Sequence, residues 1–245
     1  MLRPFTGSLL LSVFLLPWIT ACSNLPADSD PSQQQATLQL PFEARGNEPP
    51  WLLTIDDSGL LLSRGYDRQE IRYAPIRQQQ DSEQLRMTAG ERSKVTALLN
   101  PAVCHDSMTA MPYPWQVSVI TDGESLQGCG GDPRELLLGE WIIEDINGKG
   151  IIDSSRISLH MDAEGRFSGL ASCNRYAGSY QLSGEGIHFG QTLATKMACA
   201  PALMQQEQRF FSILNNISRF DRDATGALIL SSHDGKTLRG YLLGQ

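Results

Sequence analysis

Positive charge is in short supply in this 245-residue chain: 20 lysines and arginines stand against 27 aspartates and glutamates, a formal net charge of −7. Nucleic-acid binding needs a basic footprint, so the balance argues against it. It argues equally against a polybasic grip on anionic lipid, and reads mainly as solubility. Long apolar runs are missing after the first twenty residues, so nothing later is apolar enough to span a membrane. No Gly-x-Ser-x-Gly elbow, phosphate-binding glycine loop or His-Glu-x-x-His is present. Gly184-x-Gly186 lies in a β-rich stretch and reads as a turn. No Cys-x-x-Cys pair occurs and no histidine stands at ligand spacing, which argues against zinc. No metal, cofactor or catalytic set is expected.

What is present begins with a targeting segment. Met1-Leu-Arg-Pro carries one positive charge, and residues 9–19 form an apolar run well short of the ~20 residues a permanent span needs. The run ends in Ile19-Thr-Ala-Cys22. Small residues before a cysteine at that place resemble the bacterial lipoprotein signal. The resemblance implies a signal peptide over 1–21, cleavage before Cys22, and acylation (palmitate among the chains) of its thiol and new amino group. Several acyl chains anchor stably, since each buried methylene contributes ~0.8 kcal/mol. Ser23 follows where an Asp would favour the inner membrane, so the same resemblance implies the outer membrane, periplasmic face. A plain secretory signal with an incidental cysteine is the alternative. Residues 22–40 are rich in Ser, Asp, Pro and Gln and read as a flexible tether.

From Pro41 the pattern becomes that of short strands. Trp51-Leu-Leu-Thr-Ile55 and Leu60-Leu-Leu flank the turn Asp56-Asp-Ser-Gly59, a hairpin. Glu70-Ile-Arg-Tyr, Gln84-Leu-Arg-Met and Trp115-Gln-Val-Ser-Val-Ile120 alternate, and Asp122-Gly123 turns the last toward Cys129. Val95, Leu98 and Leu99 have helical spacing, which predicts a short helix over 90–100, with Thr88 and Glu91 at capping-box spacing and Asn100-Pro101 as its stop. The breaker-rich Cys129-Gly-Gly-Asp-Pro-Arg-Glu135 marks a domain boundary between 41–131 and 136–243. In the second domain, Arg156-Ile-Ser-Leu-His-Met161, Arg166-Phe-Ser-Gly and Gly186-Ile-His-Phe-Gly190 read as strands. Leu203, Phe210, Leu214 and Ile217 form a helical stripe after Pro201, and a final hairpin spans Asp234-Gly235. The expected fold is mainly β (α+β): two β-rich domains, the second a curved sheet or partial barrel with one packed helix.

Five cysteines become four if Cys22 is lipidated, an even number suited to an exported disulfide protein. Proximity favours Cys104–Cys129 and Cys173–Cys199, each closing a loop worth ~3.5 kcal/mol in the chain-entropy model. Crossed pairings stay open.

The densest stretch is Gly169-Leu-Ala-Ser-Cys-Asn-Arg-Tyr-Ala-Gly-Ser-Tyr180, answered by Thr195-Lys-Met-Ala-Cys199. With Trp141, Glu207 and Phe210-Phe211, these motifs resemble the META domain, a family that includes heat-inducible bacterial outer-membrane lipoproteins linked to novobiocin resistance. The resemblance covers about 136–243. It implies a helix packed on a curved sheet and no established enzymatic activity. Gly46-x-Glu-Pro-x-Trp51, Cys104-x-Asp-x-Met108, Tyr113-Pro114 and Gly128-Cys129 resemble an uncharacterised exported-lipoprotein domain, with Thr109-Ala110 where that family carries a small pair such as Ser-Gly.

The candidate binding or structural residues are Asn174, Arg175, Tyr176 and Tyr180. Arg175 either pairs with an acidic group such as Glu207 or faces a ligand carboxylate or phosphate. Asn174 reads as a turn former, and the two tyrosines share one strand face. Cys173 beside Arg175 is a reactive thiol unless Cys199 takes it. His160 and His188 fall on polar parity and form a weak ligand pair if their strands adjoin, whereas His105 is placed to meet Asp106. The functional expectation is a non-enzymatic binding or scaffolding module of the envelope, with an envelope protein as partner and a role in stress. The alternatives are an inhibitor or binder of a hydrolase such as lysozyme, for which an acidic surface suits a basic target, and, more weakly, an enzyme of unknown class.

Overall fold

Side chains that alternate between interior and solvent run through most of the chain and build two antiparallel sheets. A computed structural model describes residues 38–81, 84–92 and 94–244. The expected signal peptide at 1–21, Cys22, and all but the last three residues of the expected tether at 22–40 lie outside them. Ala36–Gln245 form one compact unit.

The strands of the first half are β1 (Phe42–Asn47), β2 (Pro50–Asp56), β3 (Gly59–Arg64), β4 (Gln69–Tyr73), β5 (Ile76–Asp81), β6 (Gln84–Ala89), β7 (Val95–Asn100), the short β8 (Cys104–His105) and β9 (Pro112–Tyr113), then β10 (Trp115–Thr121) and β11 (Glu124–Gly130). The large sheet runs β4-β3-β2-β1-β11-β10-β7-β6-β5, and β8 pairs only with β9. Its core holds Trp51, Leu53, Ile55, Leu60, Leu85, Val117 and Val119.

The helix expected over 90–100 is instead β7. Val95, Ala97 and Leu99 are buried and alternate with Thr96, Leu98 and Asn100. Val95 and Leu99 are four apart, a spacing that fits one face of a helix and one face of a strand. Pairing with β6 on one side and β10 on the other decides the matter.

A 3₁₀ turn at Pro133–Leu136 leads into the second half. There follow β12 (Gly139–Ile146), β13 (Ile157–Met161), β14 (Arg166–Ala171), β15 (Asn174–Ser183), β16 (Gly186–Phe189), β17 (Leu193–Ala194), helix α1 (Pro201–Leu214), β18 (Ile217–Arg222), β19 (Leu228–Ser232) and β20 (Thr237–Leu242). The order is β16-β15-β14-β13-β12-β20-β19-β18, with β17 on β15. The sheet nearly closes on itself. At its seam a Cβ on Gly186 of β16 would lie 2.1 Å from the Ser218 carbonyl of β18. Helix α1 buries Phe210, Ile213 and Leu214 in this core, and Pro201 occupies its start. Of the expected helical stripe, Leu203 is half-buried, and Ile217 is buried as the first residue of β18.

One packing device recurs in both sheets. Trp51 of β2 sits opposite Gly46 of β1, and its indole crosses that glycine to donate a 3.2 Å hydrogen bond to the Gln127 carbonyl of β11. Tyr176 of β15 sits opposite Gly169 of β14, and its hydroxyl crosses to donate a 2.7 Å bond to the Ser158 carbonyl of β13. A Cβ on Gly46 would lie 2.2 Å from the Trp51 indole nitrogen, and one on Gly169 1.9 Å from the Ser158 oxygen. The glycines make room for a ring whose polar tip satisfies a backbone group two strands away.

Gly46→Ala and Gly169→Ala are each expected to destabilise the fold by about 3 kcal/mol through overpacking. Gly184, where an added methyl would have nothing within 4 Å, serves as the control. Gly184→Ala should stay within about 0.5 kcal/mol in the same urea titration.

Candidate functional site

The motif at 169–180 and 195–199 folds into a clasp. Ser172 and Cys173 form the turn between β14 and β15, since Ala171 and Asn174 are paired across it. Cys173 is joined to Cys199, with Cα atoms 6.2 Å apart, so the segment before α1 is tied to that turn. Asn174 is buried and uses both polar atoms of its side chain. Its backbone N–H and Nδ2 donate to the two Glu207 carboxylate oxygens, both at 2.9 Å. Its Oδ1 accepts from the Thr195 hydroxyl and the Met197 amide, both at 2.8 Å. The neighbouring Gln206 is fully buried: its Oε1 accepts from the Ile152 amide at 2.7 Å, and its Nε2 donates to the Ser155 and Ser172 hydroxyls at 2.8 Å. Two adjacent helix residues thus hold two separate loops, and Asn174 holds a third at Thr195 and Met197.

Glu207 is therefore bound to Asn174, and the expected Arg175–Glu207 pair does not form. Arg175 is exposed, and its guanidinium has no ion-pair partner among the described residues. Tyr176 and Tyr180 share one face as expected and lie in the core. Tyr176 is packed edge-on against Phe210 and Phe211, and burial pushes its hydroxyl far up in pKa. The Tyr180 hydroxyl donates to the Asp162 carbonyl at 2.6 Å. With Cys173 in a disulfide, it offers no thiolate. His160 and His188 are not neighbours, because β14 and β15 separate their strands; both are exposed. Among the described residues no group of three or more His, Cys, Asp or Glu is placed to hold a metal ion.

A second organised region is the strap formed by residues 104–113. Cys104 is joined to Cys129 of β11, with Cα atoms 5.5 Å apart. His105 reaches Asp221 of β18 at 2.9 Å rather than the adjacent Asp106. Asp106 is buried and folds the strap around itself. Its Oδ1 accepts from the Met108 amide at 3.0 Å, the Thr109 amide at 2.8 Å and the Thr109 hydroxyl at 3.0 Å. Its Oδ2 accepts from Asn47 Nδ2 at 3.0 Å. Burial alone would raise the Asp106 pKa, but these donors hold it below the ordinary 3.8. Bonds from an aspartate to amides two and three residues ahead are a local turn signal that Cys104-x-Asp-x-Met108 already carries.

Between the strap and the second sheet lies a cleft of about 590 Å³. His105 and Met111 line it from the strap, Glu185 from the β15–β16 turn, Arg219 and Asp221 from β18, and His233 from the β19–β20 turn. Nothing in the sequence signals it, since its residues are scattered over some 130 positions and no short motif joins them.

The second half can now be placed among known proteins. Residues 134–242 match the META domain family model. The match falls in the half where Trp141, the Cys173 turn and Glu207 resemble that family. A protein from Burkholderia xenovorans solved by NMR is 26% identical over 46% of this chain and 88% of its own, with a TM-score of 0.38. A DUF4847 family protein from Bacteroides vulgatus, solved by crystallography, is 16% identical over 46% of this chain and 99% of its own, with a TM-score of 0.34. No curated protein matches the chain.

Two outcomes check the roles of these groups. Asn174→Ala strands one Glu207 carboxylate oxygen and the Met197 amide, while its backbone N–H keeps the other oxygen, and should cost about 2–3 kcal/mol, whereas Arg175→Ala should change stability by under about 0.5 kcal/mol in denaturant titrations. Because the Asp106 pKa is lowered on folding, its contribution is complete above 3.8 and is lost as the pH falls below that through its folded value. The stability gap between the native chain and Asp106→Asn, about 2 kcal/mol near neutrality, should close on acidification below 3.8.

Proposed function

We propose that this chain is an outer-membrane lipoprotein on the periplasmic face that works as a non-enzymatic binding or scaffolding module, with a role in envelope stress or drug resistance. The observation that carries the reading is the use made of the motif residues. Asn174, Gln206, Glu207 and the Cys173–Cys199 pair are consumed by one another and by nearby loops in closing the META domain. Side chains bonded in this way are not free to act as nucleophile or base, which need reach to a substrate. The two disulfides suit an oxidising compartment. The sequence Ile19-Thr-Ala-Cys22 supports a lipid anchor, and the Ser-, Pro- and Gln-rich stretch after it supports a tether. An envelope protein is the proposed partner.

Cys22→Ala should move the protein from the detergent-extracted membrane fraction to the soluble periplasmic fraction, read by immunoblot. Unchanged membrane fractionation would remove the anchor from the proposal.

A further inference from the structure

The cleft between the strap and β18–β19 has a lining of unusual balance. Its floor is apolar, made by the buried Met111 and Phe220. Its rim carries fixed charge of both signs that is largely unspent within the protein. Arg219 is exposed and has no ion-pair or hydrogen-bond partner for its guanidinium among the described residues. Glu185 is exposed, and its carboxylate is likewise without a partner among them. Asp221 accepts from His105 Nε2 at 2.9 and 3.0 Å and from the Arg222 amide at 2.7 Å. His233 stands at the far rim.

This lining selects by charge. A small anion meets Glu185 and Asp221, and a small cation meets Arg219, so either leaves one sign opposed. A neutral molecule rich in hydroxyl groups meets no such opposition. Each of its hydroxyls donates to a carboxylate and accepts from a guanidinium or imidazole, and planar groups of both kinds suit paired hydroxyls. Its C–H faces suit a floor of Met111 and Phe220. A volume of about 590 Å³ is in the range of small-molecule clefts and exceeds what one water or ion requires. We infer that the cleft is a binding site for an uncharged sugar chain, with Arg219 and Glu185 as the contacts that fix its hydroxyls. The inference rests on reading the chain as a binding module and names its ligand class.

The test is a titration of the purified protein, followed by amide NMR, with chitotriose and maltotriose as neutral probes, and citrate and spermidine as charged comparators. At least one sugar should shift the amides of Met111, Gly186, Asp221 and Gly235 at millimolar concentration. Arg219→Ala and Glu185→Gln, both at exposed unpaired positions, should each weaken that binding about tenfold, with melting temperature unchanged. Failure of both sugars, tighter binding of citrate or spermidine in the cleft, or undiminished binding by both variants overturns the assignment. Release of shorter sugars during the titration would uphold the site and overturn the non-enzymatic reading instead.

Discussion

Met111 and Tyr113 of the strap, which lies outside the first sheet, enter the core of the second. The rest of the arrangement follows from that insertion. The strap that carries them is fastened to β1 and β11, where Asn47 bonds Asp106 and Cys129 bonds Cys104. Cys129 itself counts among the buried residues of the second core, so the disulfide lies at the join. Arg45 of β1 stacks over the Tyr113 ring, 5.7 Å from its centre. In the second sheet Arg222 lies 4.4 Å over the Trp141 ring and donates to the Leu136 carbonyl, fixing the chain just after the link. Both sheets are thus held by apolar insertion, with cations laid on aromatic faces around it.

The META motif shows how a cluster of polar residues comes to look like an active site. Asn174, Glu207 and Gln206 are the residue types that bind substrates, and they are gathered together beneath the helix. Burial of an amide or carboxylate is costly unless each polar atom is bonded. Here the bonds go to backbone amides and hydroxyls of loops that have no strand partner of their own. Cross-links of this kind replace a ladder where the chain leaves the sheet to enter α1.

The β-rich class with one packed helix was legible because inward side chains such as Ile157, Leu159 and Met161 recur at a strand period. The disulfide pairs are the ones that proximity along the chain favours, although the sequence leaves crossed pairings open. Strand β5, with five of its six residues exposed, was not legible: it has no buried face to impose alternation. The apolar spacing of β7 fits both the helical and the strand period, and only its two neighbours in the sheet resolve it. By charge alone Arg175 is the natural partner for Glu207. Strand parity turns adjacent residues to opposite faces, however, and the inward Asn174 takes the carboxylate. The cleft was hidden for a different reason. Its lining is assembled by tertiary contact between a strap and two hairpins, and carries no local pattern.

Magnitudes decide what holds the strap and what is left for binding. Full burial of side chains like Met111 and Tyr113 contributes about 1.5–3 kcal/mol each, and the Cys104–Cys129 loop about 3.5 kcal/mol in the chain-entropy model. The His105–Asp221 contact is exposed on both sides, at 48% and 47%, and such pairs contribute at most about 1 kcal/mol. The strap would therefore stay docked without that pair, which serves to orient the imidazole at the rim. Polar groups that stability does not need are free to be arranged for a ligand, and Arg219 and Glu185 are two such groups that stand at one cleft with an apolar floor.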